Sequence, residues 1–137
     1  MEAKEILGLD IGAKKTGIAR ASNVARLAEP LMSIPAKNTI STIKKFIAEH
    51  EVEAIVVGLP RSLSGEDTDQ TKWVRTWVDK AKQKITVPIY YQDEALTSIA
   101  AAVKQHKLKS QADEHSLAAA IILQDFLEGA EADRMMT

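Results

Sequence analysis

The sequence predicts an α/β domain whose mixed sheet is antiparallel in its first three strands and parallel afterwards. Two β-rich runs flank a Gly-containing turn near residue 12, and this pattern indicates a hairpin. Beyond residue 38, segments with helical spacing alternate with short apolar runs, an order typical of parallel strands joined by crossovers. Since 137 residues with 45% hydrophobic content make about one core, we expect a single domain, 1–137.

The first three predicted strands are extended runs. Residues 5–11 are β-rich and end at the turn, and residues 16–22 return beside them. Residues 27–34 form a looser extended run that Pro35 closes. We expect these strands to pair in an antiparallel manner.

The middle of the chain predicts two helices around one strand. Residues 39–49 repeat Ile at helical spacing, so they indicate an amphipathic helix. Residues 54–57 are apolar without interruption, as in a strand covered on both faces. Residues 58–67 have the Gly, Pro and Ser content of an irregular loop, and residues 68–84 return to helical spacing.

The last third predicts a strand, two helices and a tail. Residues 87–91 indicate a short strand, and residues 96–105 a helix. Residues 116–127 are apolar nearly all round, which favours a central helix. We expect 129–137 to be a frayed tail.

Composition excludes several classes of site and partner. The absence of Cys excludes disulfides and thiolate metal sites. No stretch resembles a membrane span or a signal segment, so we expect a cytoplasmic protein with no membrane partner. A net charge of −1 gives no general attraction to a polyanion, so nucleic-acid binding requires local basic groups. The candidates are Lys14 and Lys15, Lys44 and Lys45, Arg61, Lys72 with Arg75, and residues 104–109. Each of these groups, taken alone, also fits an ordinary solvent-exposed surface.

Asp10 interrupts the first predicted strand. Strand alternation places it between Gly8 and Gly12 on one face, with the apolar residues on the other. Burial of a neutral polar group without a partner costs about 2–7 kcal/mol, and burial of an ionised carboxylate costs more. Asp10 therefore needs a cation, a metal or hydrogen-bond donors. The alternative is that Asp10 caps the turn through its backbone amides.

Four segments, in this order and spacing, resemble the YqgF/RuvX family of RNase H-like proteins: ILGLDIGAKKTGIARAS, VVGLPRSLSGEDTDQT, DEALTS and HSLAAAIILQDFLE. The resemblance covers residues 6–128. It implies a five-stranded mixed sheet with helices on both faces, in which carboxylates hold Mg²⁺ or Mn²⁺. It also implies a nuclease that hydrolyses phosphodiester bonds in structured nucleic acid. The substrate it favours is the 5′ end of pre-16S rRNA, with the ribosomal precursor particle as partner, and the alternative is a Holliday junction.

The resemblance also assigns the metal and catalytic residues. Asp10 matches the family's first acid, and Glu94 matches the acid of its D-E-R stretch. His115 stands where relatives carry Asp, and a neutral imidazole there would suit Mn²⁺ better than Mg²⁺. Asp113 or Glu114 would reach the metal instead if the chain were still extended there; otherwise Asp113 is a helix N-cap and Glu114 a surface acid.

Two departures from the family pattern support a second hypothesis. His115 replaces an acid, and Ala95 stands where the family has Arg, which could fix Glu94 or a phosphate. A nucleic-acid-binding module with weakened catalysis is therefore an alternative function. Two roles stay open for Asp93: a catalytic role, and the capping of the helix that begins near Leu96.

The substrate-contact candidates are basic and hydroxyl side chains near the predicted site. Some of them have a structural alternative. Arg61 also fits an exposed side chain in a loop that tolerates substitution, and Thr97 and Ser98 also fit hydroxyls that only bond to the amides of the first helical turn. The candidates are Lys14, Lys15, Arg61, Ser62, Thr97 and Ser98.

Overall fold

A computed structural model describes residues 3–137 and contains one six-stranded mixed sheet of order β3-β2-β1-β4-β5-β6. β1 pairs with β2, and β2 with β3, in antiparallel orientation, whereas β4 and β5 run parallel to β1. The strands are β1 (Glu5–Ile11), β2 (Lys15–Ser22), β3 (Glu29–Pro35), β4 (Val52–Arg61), β5 (Ile89–Ala95) and β6 (Met135–Met136). This order confirms the predicted mixed sheet, but the predicted count of five strands is wrong, because β6 near the end of the chain pairs with β5 as a sixth strand.

Four helices cover the two faces of the sheet. The helices are α1 (Thr39–Glu49), α2 (Asp69–Ala81), α3 (Leu96–Lys107) and α4 (Glu114–Glu128), with 3₁₀ turns at Ala36–Asn38 and Glu131–Asp133. None of the helices in the described part of the chain combines the length and apolar character needed to cross a lipid bilayer.

The alternation of β1 separates two apolar layers. Leu7 and Leu9 are buried in a layer that includes Ile43 of α1 and Val74 of α2. Ile6 belongs to the opposite layer, which α4 supplies with a row of buried side chains. Asp10 has the same strand parity as Ile6, so it lies on the face that α4 covers, as the alternation predicts.

The first four residues of the segment predicted as loop 58–67 belong to strand β4. β4 continues to Arg61 because it pairs with β5 as far as Ala95 and because Arg61 bridges to Asp67. The loop therefore shrinks to residues 62–66, closed by Gly65 with a φ of 82°. Strand pairing across the sheet outweighs the local Gly and Pro content.

The tail predicted to fray is instead attached to the sheet. Met135 and Met136 pair with β5, and the Thr137 hydroxyl donates to the carbonyl of Ile89 at 2.9 Å. The Arg134 guanidinium lies 4.6 Å from the centre of the Phe126 ring. These partners are far away in the sequence, which is why local composition missed them.

Three glycines bring α4 directly onto the strands. A Cβ at Gly8 would lie 2.6 Å from the Cβ of Leu123, and one at Gly17 would overlap the His115 carbonyl oxygen. A Cβ at Gly58 would overlap the side-chain tip of Ile122. Since Gly17 is the strand partner of Asp10, this contact sets the first turn of α4 beside that carboxylate.

Candidate active site

Two acids lie at the carboxyl ends of parallel strands on the α4 face. Asp10 near the end of β1 and Glu94 near the end of β5 line one cavity of about 40 Å³, with Gly58 and Pro60 of β4 between them. Gln70, Leu96, Ile99 and Ile122 complete its walls. That volume accommodates an ion or a few ordered waters. The cavity brings together the two acids that the sequence analysis paired.

The electrostatics of this cavity show a shortage of positive charge. Burial raises the pKa of Asp10, and the nearby His115 only partly offsets the rise. Burial, the adjoining Asp125 carboxyl and the charge of Asp93 raise the pKa of Glu94 to about 9. The Oε1 atom of Glu94 is buried without a hydrogen-bond partner. Such an orphaned carboxylate oxygen fits a cation ligand.

Asp125 is a site residue that the sequence analysis missed. It lies on α4, and its carboxyl raises the pKa of Glu94, because two adjoining carboxyls favour the protonated form of one of them. The available signal was an acid near the end of a helix that is otherwise apolar. A pattern of residues along one helix does not show which strand that acid faces, so its partner needed the fold.

His115 is exposed on the first turn of α4 and shares a groove with Asp10. Asp10 and Glu94 thus line the cavity together, and Asp10 and His115 line the groove together. Among residues 3–137, no three His, Asp or Glu side chains are grouped closely enough to hold one metal ion. The three-residue ligand set stays a prediction.

The two alternative ligands have other partners. Asp113 is the N-cap of α4: its Oδ1 accepts a hydrogen bond from the Ser116 amide at 2.8 Å and one from the Ser33 hydroxyl at 2.5 Å. Burial pushes the pKa of Asp113 up, but these hydrogen bonds outweigh burial and lower it. Glu114 lies 3.7 Å from the Lys107 ammonium. The capping prediction for Asp113 is confirmed.

Asp93 and Arg61 form an ion pair on the other face of the sheet. The Nε of Arg61 lies 3.0 Å from Oδ1 of Asp93 and 3.7 Å from Oδ1 of Asp67. The expected helix-capping role of Asp93 is wrong, because Ala95 is the N-cap of α3 and makes no side-chain cap bond. A phosphate contact by Arg61 would compete with these carboxylates, and it stays a prediction.

None of the remaining substrate-contact candidates lines the cavity or the groove beside Asp10. Lys14 and Lys15 are exposed in the hairpin turn that follows Asp10, and Thr97 and Ser98 are exposed on the first turn of α3. The Ser62 hydroxyl instead closes its own loop, accepting from the Glu66 amide at 3.1 Å.

The order of the strands in the mixed sheet and the helix laid over the first strands are those of the RNase H-like fold class. The same fold occurs in a solved structure of T. thermophilus RuvC in complex with a Holliday junction substrate. It is 15% identical, covers 97% of this chain and 99% of that chain, and has a TM-score of 0.60. That likeness is one of fold.

Sequence comparison gives the family. Residues 4–129 match the family model described as RuvX: Holliday junction resolvase, and the chain belongs to this family. A relative in Chloroflexus aggregans (strain MD-66 / DSM 9485), named "Putative pre-16S rRNA nuclease", is 39% identical over 93% of this chain and 96% of its own. A relative of the same name in Shewanella oneidensis is 32% identical over 97% and 100%. The resemblance drawn from the four segments is confirmed.

Proposed function

We propose that this protein is a divalent-metal-dependent nuclease that hydrolyses phosphodiester bonds in structured nucleic acid, and that its substrate is a 16S rRNA precursor. Family membership supports a hydrolase that acts on nucleic acid, and the relatives' shared name supports the substrate. The observation that carries the chemistry is the cavity that Asp10 and Glu94 line together, with one buried Glu94 oxygen left without a hydrogen-bond partner.

The donor set fits Mg²⁺ or Mn²⁺. Asp10 and Glu94 supply the hard oxygen ligands that both ions take, and His115 would add a nitrogen that suits Mn²⁺. When bound, such an ion stabilises charge on the phosphodiester and lowers the pKa of an attacking water. Asp10 and Glu94 are the residues that would hold it, with His115 at the groove side.

The protein's own groups set the conditions for that chemistry. Glu94 must lose its proton before it can bind a cation, and its pKa of about 9 makes this step easier as the pH rises. The Asp125 carboxyl favours the protonated form of Glu94, because it raises the pKa of Glu94. Leu96 and Ile99 of α3 give the cavity an apolar lining on one side.

The test is cleavage of a pre-16S rRNA fragment by the purified protein with Mn²⁺ or Mg²⁺. Asp10→Asn keeps the shape and removes the charge, so we expect cleavage to be lost. Asp79→Asn, an exposed acid on α2, is the matched control and should cleave like the parent. Cleavage that survives Asp10→Asn would reject the proposed site.

Two other functions have specific support. The family description favours a Holliday junction resolvase, so a four-way DNA junction belongs in the same assay. His115 and Ala95, with no three-ligand group among residues 3–137, favour a nucleic-acid-binding module without catalysis. Calorimetric titration with Mn²⁺ separates these: no metal binding with intact RNA affinity supports the module.

A further inference from the structure

A second, larger concavity opens beside the metal-site candidates. It lies between α3 and the first turn of α4 and has a volume of about 390 Å³. This size is within the roughly 300–1,000 Å³ of pockets that accept small-molecule groups. Asp10 lines both this groove and the 40 Å³ cavity, so the two meet at that carboxylate.

One face of α3 forms a wall of both spaces. Its first turns contribute Leu96 and Ile99 to the cavity, and its later turns contribute Ala100, Val103, Lys104 and Lys107 to the groove. The face is therefore apolar near the carboxylates and cationic farther along. From residue 100 to residue 104 the helix rises by about 6 Å. Lys104 thus lies about one helical turn beyond Ala100, which lines the groove together with Asp10.

The two lysines of the groove have different electrostatic partners. The Lys107 ammonium lies 3.7 Å from a carboxylate oxygen of Glu114 on α4, so this pair connects the two walls. The side chains are 47% and 70% exposed, and such exposed pairs contribute only about 0–1 kcal/mol. Within residues 3–137, Lys104 has no carboxylate within ion-pair distance. Lys104 is therefore the lysine of the groove that has no ion-pair partner among these residues.

We propose that the groove binds the substrate strand next to the reacting phosphodiester, that Lys104 contacts a backbone phosphate there, and that Glu114 weakens binding by neutralising Lys107. This inference rests on the proposed nuclease function and extends it to the path of the strand. Ala100 and Val103 provide an apolar wall for a sugar. The other lining residues are polar or ionisable: Asp10, Lys104, Lys107, Glu114 and His115. Contacts of this kind hold a backbone without reading its sequence.

The experiment measures RNA binding without cleavage. In the Asp10→Asn background and in EDTA, a fluorescent pre-16S rRNA fragment is titrated at several KCl concentrations. Each phosphate contact contributes about 0.7–0.9 to the slope of log K against log salt. We expect Lys104→Ala to reduce the slope by that amount and Lys104→Arg to preserve it. Glu114→Gln should tighten binding at low salt, because it frees Lys107.

Lys109→Ala is the matched control. Lys109 is exposed just beyond α3, lies outside the groove and carries the same charge. The proposal is overturned if Lys104→Ala leaves the slope unchanged, if Lys109→Ala reduces it equally, or if the Asp10→Asn protein binds no RNA at low salt. Failure of Glu114→Gln to tighten binding overturns the role of that acid. The titration measures binding and not cleavage. If the parent protein cleaves no RNA but Lys104→Ala still reduces the slope, the nuclease proposal fails and this inference stands.

Discussion

Substitution of Gly8 by Ala tests whether the close contact between α4 and the sheet holds the site together. The new Cβ would lie 2.6 Å from the Cβ of Leu123 and 2.9 Å from the carbonyl oxygen of Ala119. Ordinary contact begins at 3.4 Å, so α4 must move away by about 0.8 Å. Neither of these atoms can rotate out of the way, because one is backbone and the other is attached to it.

The expected cost follows from two opposing effects. Overpacking of a tight core costs about 1–3 kcal/mol, and a contact with fixed atoms belongs at the upper end. Gly→Ala also restricts the unfolded chain, which returns about 0.4–1 kcal/mol. We therefore expect Gly8→Ala to lower the free energy of unfolding by about 2 kcal/mol. Gly129→Ala, whose Cβ would meet its nearest atom at 3.5 Å, should be neutral or slightly stabilising.

Urea denaturation of the parent and both variants measures these differences through the midpoint at constant slope. Gly58→Ala adds an internal test, since its Cβ would meet the flexible tip of Ile122 and Ile122→Val should relieve the clash. Equal midpoints for Gly8→Ala and Gly129→Ala would refute the close packing of α4.

Four further predictions concern charge. The pKa of Glu94 is raised from 4.5 to about 9, so the folded parent loses stability as the pH rises from 4.5 to about 9. Gln stays neutral throughout, so Glu94→Gln should unfold at a higher temperature than the parent at pH 8.5 but not at pH 4. Asp125→Asn removes a carboxyl that raises this pKa, so the midpoint of a pH–cleavage profile should shift to lower pH. Asp113→Ala removes a helix cap at a cost of about 1 kcal/mol in urea denaturation. Because the pKa of Asp113 is lowered, the part of that difference that depends on its charge is present at pH 7 and is lost as the pH falls below 3.8 through the folded-state pKa. Arg61→Ala removes the contacts of this side chain with Asp67 and with the Gly65 carbonyl, so limited proteolysis should cut residues 62–66 faster than in the parent.

The sequence predicts those parts of the fold that depend on local periodicity. The helix at residues 39–49 has the predicted bounds because its apolar repeat and its ends are local. Strand β4 was predicted too short, since its last residues, among them Pro60 and Arg61, are held by pairing with β5. The same limit applies to β6, whose two residues depend on a distant strand.

The site follows the same division. Asp10 stands out because an acid between two glycines conflicts with a buried strand, and Glu94 was found through the family motif. Asp125 was missed because its importance comes only from the carboxyl it faces. The partner of Asp93 was missed because the predicted loop hid that Arg61 is a neighbouring strand residue. Charges that matter through long-range contacts require the three-dimensional structure.

The two outer strands of the sheet limit how copies of this molecule could associate. β3 carries Pro30 and Pro35, which lack the amide hydrogens that an added strand would need, and β6 is only two residues long. Neither rim offers a long template for continuous strand addition. If cutting both strands of a branched DNA requires two copies acting side by side, their contact must therefore be sought among helices and loops.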